Sequence, residues 1–246
     1  MPDLVDLHTH ILPELDDGPR EQSLSCTMAR AWVEDGVTKV FATPHGFSPS
    51  YHAHPDTIRK FVAKLSRELS QQGIPLDLQI GMELRYHREM FAHLLRGSAI
   101  CLGGKTEGPR FLLLEFPTRE WPDETNELIY ELKYREITPI IAHPERNLVA
   151  QRHPDKVAEA VEEGAWMQLT AGSITGEFGP LCQKVSRKWI GEGLIHIVAS
   201  DAHDPQIRKP GLQVSYDWIT NKWGYSNAVA RFIQNAEIVW QTSRLG

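Results

Sequence analysis

The residues that could do chemistry begin almost at once. The stretch LVDLHTHILPELDDG, residues 4–18, places His8 and His10 one residue apart and follows them with Asp17. Val5 and Leu7 alternate with Asp6, His8 and His10, the period of a strand, which predicts that the three polar side chains share one face. Two imidazoles side by side on a strand are a metal-binding arrangement when carboxylates join them. Further along, KVFATPH (39–45) ends in His45, DLQIGMEL (77–84) carries Glu83 and FLLLEFP (111–117) carries Glu115. TPIIAHPER (138–146) carries His143, and IHIVASDAH (195–203) carries Asp201 and His203. Together with Asp17 these are five imidazoles and four carboxylates. Carboxylates gathered in one place raise one another's pKa unless a cation neutralises them. Nine side chains exceed what one ion accepts, so the set implies two or three divalent ions. Nitrogen and oxygen donors without thiolate suit manganese, iron or zinc better than magnesium or calcium.

Something must bring those residues together. Each run above reads as a strand, and WMQLTAG (166–172) supplies a seventh that ends in no ligand. Helical patterns lie between them: Ile58, Phe61, Val62, Leu65 and Leu69 recur at helical spacing, as do Leu24, Met28, Ala31 and Trp32. Gly36, Gly73, Gly164 and Gly193 each close a helical run as C-cap glycines do, and Pro55 and Pro154 open one. Alternating strands and helices pair in parallel, with each strand covered on both sides. Seven units with no linker between them predict one domain over residues 1–246, an α/β barrel whose metal site lies at the C-terminal strand ends. The open doubly wound sheet is the alternative, but the first strand–helix turn lacks its Gly-rich phosphate loop.

The bulk properties exclude other classes. A formal net charge of −6 argues against a nucleic-acid surface. No apolar run is long enough for a membrane helix, and MPDLVD lacks the features of a secretion signal. Cys26, Cys101 and Cys182 show neither disulfide nor zinc-finger spacing, which points to a reducing, cytoplasmic compartment. A thiol-based phosphatase needs an Arg six positions after its Cys; here those positions hold Trp32, Glu107 and Lys188. Among the remaining histidines, His196 has the parity opposite to Asp201 and His203 and is expected to face away. His87, His93 and His153 read as ordinary helix or loop residues. His52 and His54 lie in a loop entering a helix, where they cover the site, touch substrate or serve only the loop.

DLHTHILPELDDGP, ATPH, GMEL, LLLEFP, IIAHPER, TAGSITGEFG and HIVASDAHDPQIRKP together resemble the PHP (polymerase and histidinol phosphatase) superfamily. More narrowly they are similar to the CpsB/YwqE-type manganese-dependent tyrosine-protein phosphatases of bacterial capsular and exopolysaccharide synthesis. The resemblance implies a distorted (β/α)7 barrel with a trinuclear site. One ion is expected on His8, His10, Glu83 and Asp201, a second on Glu83, Glu115 and His143, and a third on Asp17, His45 and His203. It also implies that Arg146 and Arg208 hold the phosphate, with Mn2+ as the metal and iron or zinc as alternatives. The partner it implies is a phosphotyrosine-bearing protein, the membrane-associated tyrosine kinase that controls polysaccharide export. Thr170, where the family often has Asn, and Lys209, where it commonly has Pro, depart from the pattern near the substrate. A small-molecule phosphatase such as histidinol-phosphatase would use nearly the same ligands. An amidohydrolase would want a lysine at a strand end, which no strand here supplies. A metal-binding scaffold with a dead site would be expected to lack ligands, and none is missing.

Overall fold

The computed structural model describes residues 3–51 and 53–244. Its strands are β1 (Leu4–Thr9), β2 (Val37–Ala42), β3 (His45–Gly46), β4 (Asp77–Ile80), β5 (Glu83–Arg85), β6 (Arg110–Glu115), β7 (Ile137–Ala142), β8 (Trp166–Thr170) and β9 (Ile197–Ala199). Every pairing between them is parallel. The parallel α/β architecture read from the alternation is therefore present.

Its ladder is divided where one uninterrupted ring was expected. One sheet runs β1-β2-β4 and the other β3-β5-β6-β7-β8-β9. The division falls inside two of the predicted runs. KVFATPH breaks into β2 and β3 around Thr43 and Pro44, and a proline has no N–H to give a ladder. DLQIGMEL breaks into β4 and β5 at Gly81 and Met82; a Cβ on Gly81 would lie 2.7 Å from Leu102 and 2.9 Å from Thr43. Close approach of neighbouring chain is what keeps glycine there. At the opposite margin Thr9 bridges Ala202 in parallel. There the His10 N–H donates to the Ala202 carbonyl and the Asp201 N–H to the His8 carbonyl, both at 2.9 Å.

The strands are covered on both sides. The helix Pro55–Gln71 buries Ile58, Val62, Leu65 and Leu69, as their spacing requires, while Phe61 is half-buried. The helix Gln22–Glu34 buries Met28, Ala29 and Trp32. A second apolar cluster joins Val5, Leu7, Phe41, Leu113, Ile140 and Ile197 of the strands to Ala236, Val239 and Trp240 of the helix Asn235–Arg244. Among the described residues no helix is long and apolar enough to cross a membrane.

Asp6 departs from the expected alternation. The β1–β2 register shifts between Asp6 and Thr9, so Asp6 leaves the face that its parity with His8 and His10 predicted. It instead accepts from the Trp32 indole N–H at 2.8 Å and from the Ser200 backbone N–H at 3.0 Å. Burial pushes its carboxyl pKa up, against those donors. Asp6 thus ties β1 to the first helix and to the end of β9.

The four predicted C-cap glycines all take left-handed backbone conformations, with φ between 65° and 98°. Gly164, at φ 98°, closes its helix by donating to the Val161 carbonyl at 3.0 Å. Gly164→Ala is expected to cost about 1–2 kcal/mol of stability, the penalty of a Cβ in left-handed backbone. Denaturant unfolding checks this, with metal content unchanged.

Candidate metal centre

Eight of the nine predicted side chains come from strand ends or the residues just beyond them, and Asp17 comes from the loop after β1. His45 and Glu83 open β3 and β5, Glu115 closes β6, and His143 follows β7. Asp201 and His203 follow β9. The structure brings all nine into overlapping groups whose donor atoms lie within 4.8 Å of one another. These groups are His10, Asp17, His45 and His203; His8, His10 and Asp201; His8, Glu83 and His143; and His45, Glu83 and Glu115. The partition differs from the one the family resemblance implied. Glu115 groups with His45 and Glu83 rather than with His143, and Arg85 holds its carboxylate at 3.0 Å. His10 is shared between two groups.

Backbone strain marks two of these positions. His143 (φ 34°) and Asp201 (φ 53°) are left-handed without being glycine. His143 is also followed by Pro144, which itself disfavours helical backbone in the residue before it. Non-glycine residues persist in such conformations only where their surroundings over-determine them, typically at functional sites.

The centre of the cluster is Glu83. It is buried, and its ion-pair contacts among the described residues are four imidazoles. His143 and His45 lie 2.8 Å from it, and His8 and His10 lie 3.4 Å away. Burial alone would raise its pKa; the charge of His8 and hydrogen bonds from the other imidazoles overcome that and hold it well below the ordinary range. Asp201 is held down in the same way, against burial, by His8 and Arg146. Glu115 goes the other way: burial, and then the charge of Glu83, push it up. Burial and the neighbouring Arg146 push His143 down to about 4, so that imidazole is neutral and available as a donor at neutral pH.

Three imidazoles are oriented from behind. Nδ1–H of His8 donates to Gln168 Oε1 at 2.9 Å, that of His10 to Asp16 Oδ2 at 2.6 Å, and that of His203 to the Asp201 carbonyl at 2.9 Å. Each bond fixes the tautomer and leaves Nε2 facing the carboxylates, the arrangement that outer partners impose on metal-binding histidines. The donor set and its orientation therefore fit divalent ions. Asp16 and Gln168 are the functional residues that sequence reasoning passed over. Asp16 stood beside Asp17 in the same DDG turn. Gln168 is a polar residue in the middle of β8, the one run that delivered no ligand.

The two predicted arginines reach the same place. Arg146 and Arg208 both donate to Asp201 Oδ2, Arg208 at 2.7 Å. The Arg146 guanidinium lies over the Phe178 ring, 4.9 Å from its centroid. Arg208 Nε is buried with no hydrogen-bond partner among the described residues. Both side chains remain about a quarter exposed, at 27% and 29%.

The other histidines are elsewhere. His196 accepts from the Met167 N–H at 3.2 Å and stacks on Trp166, as its parity predicted. His54 caps the helix Pro55–Gln71 by accepting from the Asp56 N–H at 3.3 Å and is exposed. His52 lies outside the described residues. Its neighbour Tyr51 stacks on His45, with ring centroids 6.0 Å apart. His87 and His93 pack against Phe47, and His153 follows the helix Leu148–Arg152.

A parallel α/β fold whose strand ends gather histidines and carboxylates beside two arginines defines a metal-site protein of hydrolase type. More particularly, the chain belongs to the CpsB/CapC family of capsular polysaccharide synthesis, which it matches over residues 4–241. It is 34% identical to the tyrosine-protein phosphatase YwqE of Bacillus subtilis, over 96% of this chain and 91% of the relative. It is 32% identical to a putative tyrosine-protein phosphatase, CapC, of Staphylococcus aureus, over 98% of this chain and 93% of that one. Its structure superposes with a TM-score of 0.87 and 31% identity, over 98% of this chain and 93% of the other, on a chain from the crystal structures of YwqE from Bacillus subtilis and CpsB from Streptococcus pneumoniae, described as unique metal-dependent tyrosine phosphatases. An organophosphorus hydrolase from Deinococcus radiodurans, 12% identical with a TM-score of 0.60 over 96% of this chain and 92% of the other, shares the fold alone.

Two outcomes follow from the geometry. Asp16→Ala removes the acceptor that orients His10, so metal affinity is expected to fall about 10–100-fold with the fold intact, as read by metal titration. His8, His10 and His45 are pulled down by burial but lifted further by the carboxylates beside them, so all three sit above the usual imidazole pKa. A cation entering the cluster must displace those protons, so its affinity rises as pH rises through the raised values. Titrations at pH about 6 and about 8 check this: binding is expected to be tighter at the higher pH.

Proposed function

We propose that this protein is a metal-dependent protein-tyrosine phosphatase. One PHP-type domain spans residues 1–246, and its seven strand positions form a distorted (β/α)7 barrel. The observation that carries the reading is the set of three imidazoles tied through Nδ1 and turned by Nε2 toward three carboxylates, Asp17, Glu83 and Asp201, with two arginines converging on the same Asp201. His8, His10, Asp17, His45, Glu83, Glu115, His143, Asp201 and His203 are the metal ligands, and Mn2+ is the metal we favour. When bound, the ions supply an activated water and positive charge for the phosphoryl oxygens.

The chain's own residues do the rest. Arg146 and Arg208 turn from Asp201 to the phosphoryl group and neutralise it by charge-assisted hydrogen bonds. Phe178 supports the Arg146 guanidinium, which lies over its ring 4.9 Å from the centroid. The leaving phenol has a pKa near about 10, so its departure asks less of a general acid than an alkoxide would. No lysine or cysteine is needed as a nucleophile, which agrees with the buried thiols. Burial pushes Cys101 up to about 11, and Cys26 and Cys182 also sit above the ordinary thiol value.

The rim supports a protein substrate over a small one. A cavity of about 360 Å³ lies beside Asp201 and Arg208, bordered by Phe178, Ile207, Lys209 and Val214. Ile207 is 84% exposed and Val214 65%, so the border offers apolar contact to a chain that extends beyond the cavity. The phosphoprotein we assign is the membrane-associated tyrosine kinase of polysaccharide export, met in the cytoplasm.

The reading is tested by comparing rates on a phosphotyrosine peptide and on histidinol phosphate with manganese present. Faster release from the peptide is expected, and a preference for histidinol phosphate would contradict it. Arg208→Ala is expected to lower kcat about 10²–10³-fold, the usual cost of losing one preorganised donor, while metal content is unchanged.

A further inference from the structure

The cations of this chain are unevenly placed. Arg59, Arg96, Lys105, Arg110 and Arg135 all line one cavity of about 370 Å³, and among the described residues no aspartate or glutamate lines it. This occurs in a chain whose formal net charge is −6. The cavity is far from the metal cluster. Arg110 and Ile137 are the first residues of β6 and β7, whose opposite ends lead to Glu115 and His143. At about 3.3 Å per residue, the length of β6 separates the two places by roughly 16 Å.

Hydrogen bonding satisfies several of these cations without neutralising them. Arg110 donates to the Gly108 carbonyl at 2.6 Å, Lys105 to the Thr242 carbonyl at 3.1 Å and Arg59 to the Gly104 carbonyl at 3.5 Å. Among the described residues Arg135 alone of the five has a carboxylate partner, Glu131, at 3.6 Å on the exposed surface of its helix. The Arg96 side chain makes no ion pair or hydrogen bond among the described residues. Like charges held around a concave surface focus their field into it and attract a counter-ion of opposite sign. The rest of the lining is apolar: Phe91, Leu94, Ile100 and Ile137. Arg135 sits 6.0 Å from the centroid of the Phe91 ring.

We propose that this cavity is a second ligand site, and that it takes a diphosphate joined to a flat apolar body, the chemistry of a nucleoside diphosphate. Guanidinium forks match phosphate oxygens in pairs, and Lys105 adds a point charge. Phe91 and the Arg135 guanidinium beside its ring both line the cavity, and an aromatic ring and a planar guanidinium are each groups on which a base stacks, a contact open to any base. The volume lies within the range of small-molecule pockets, about 300–1,000 Å³. The site is independent of the phosphatase reading, because none of its residues belongs to the metal cluster or its arginines.

Calorimetric titration of the full chain with ADP, inorganic pyrophosphate and adenosine tests the site. ADP is expected to saturate a single site and to bind more tightly than either fragment. The Arg96→Glu/Lys105→Glu double variant, with both positions at the cavity wall, is expected to weaken ADP by about tenfold or more. Its melting temperature and its hydrolysis of a phosphotyrosine peptide should be unchanged. Because phosphates are also drawn to the metal cluster, Arg208→Ala is titrated alongside and is expected to keep ADP binding. Absence of saturable binding, or binding untouched by the double variant, would overturn the site. So would binding lost with Arg208→Ala, which would put ADP at the metal cluster. Pyrophosphate binding as tightly as ADP would overturn the nucleoside assignment.

Discussion

The rest of the structure depends on a buried carboxylate, Glu83, surrounded by four imidazoles. Of its neighbours, His8 comes from β1, His10 from just beyond it, His45 from β3 and His143 from just beyond β7. Removing a charge from water is expensive unless partners repay it, so the segments that carry these side chains must converge at the same point in space. Parallel pairing meets that demand, since it aligns the C-terminal ends of successive strands. The strained backbone at His143 and Asp201 shows the chain accepting local cost to aim the side chains inward.

The ligand-type residues were legible in the sequence because they repeat a single rule, a polar residue at the end of an apolar run. Nothing in packing calls for such residues there, so their recurrence carried the site. The residues that orient them follow no such rule. Asp16 looks like any turn aspartate, and Gln168 like a stray polar residue in β8; their roles exist only once His10 and His8 are close to them. Asp6 shows the limit of periodicity. Its parity placed it with His8, but a register shift, which sequence does not display, turned it to Trp32 and Ser200. The divided ladder has legible causes in hindsight, Pro44 and Gly81, yet each is also compatible with an unbroken strand end.

One carboxylate links the histidine cluster to the two arginines. Asp201 touches His8 and His10 on one side and Arg146 and Arg208 on the other. The arginines are therefore held in place by a group that belongs to the cluster. The two departures from the family pattern lie beside this arrangement: Thr170 is buried with its N–H on Glu145 at 3.1 Å, and Lys209 lies on the rim. Neither reaches the nine clustered side chains.

The most direct test of the central claim is metal content measured together with turnover on one preparation. The account predicts two or three manganese equivalents per chain by mass spectrometry, phosphotyrosine hydrolysis that stops after exhaustive chelation, and recovery when manganese is returned. A chelated, metal-free protein that hydrolyses the peptide at the full rate would contradict it.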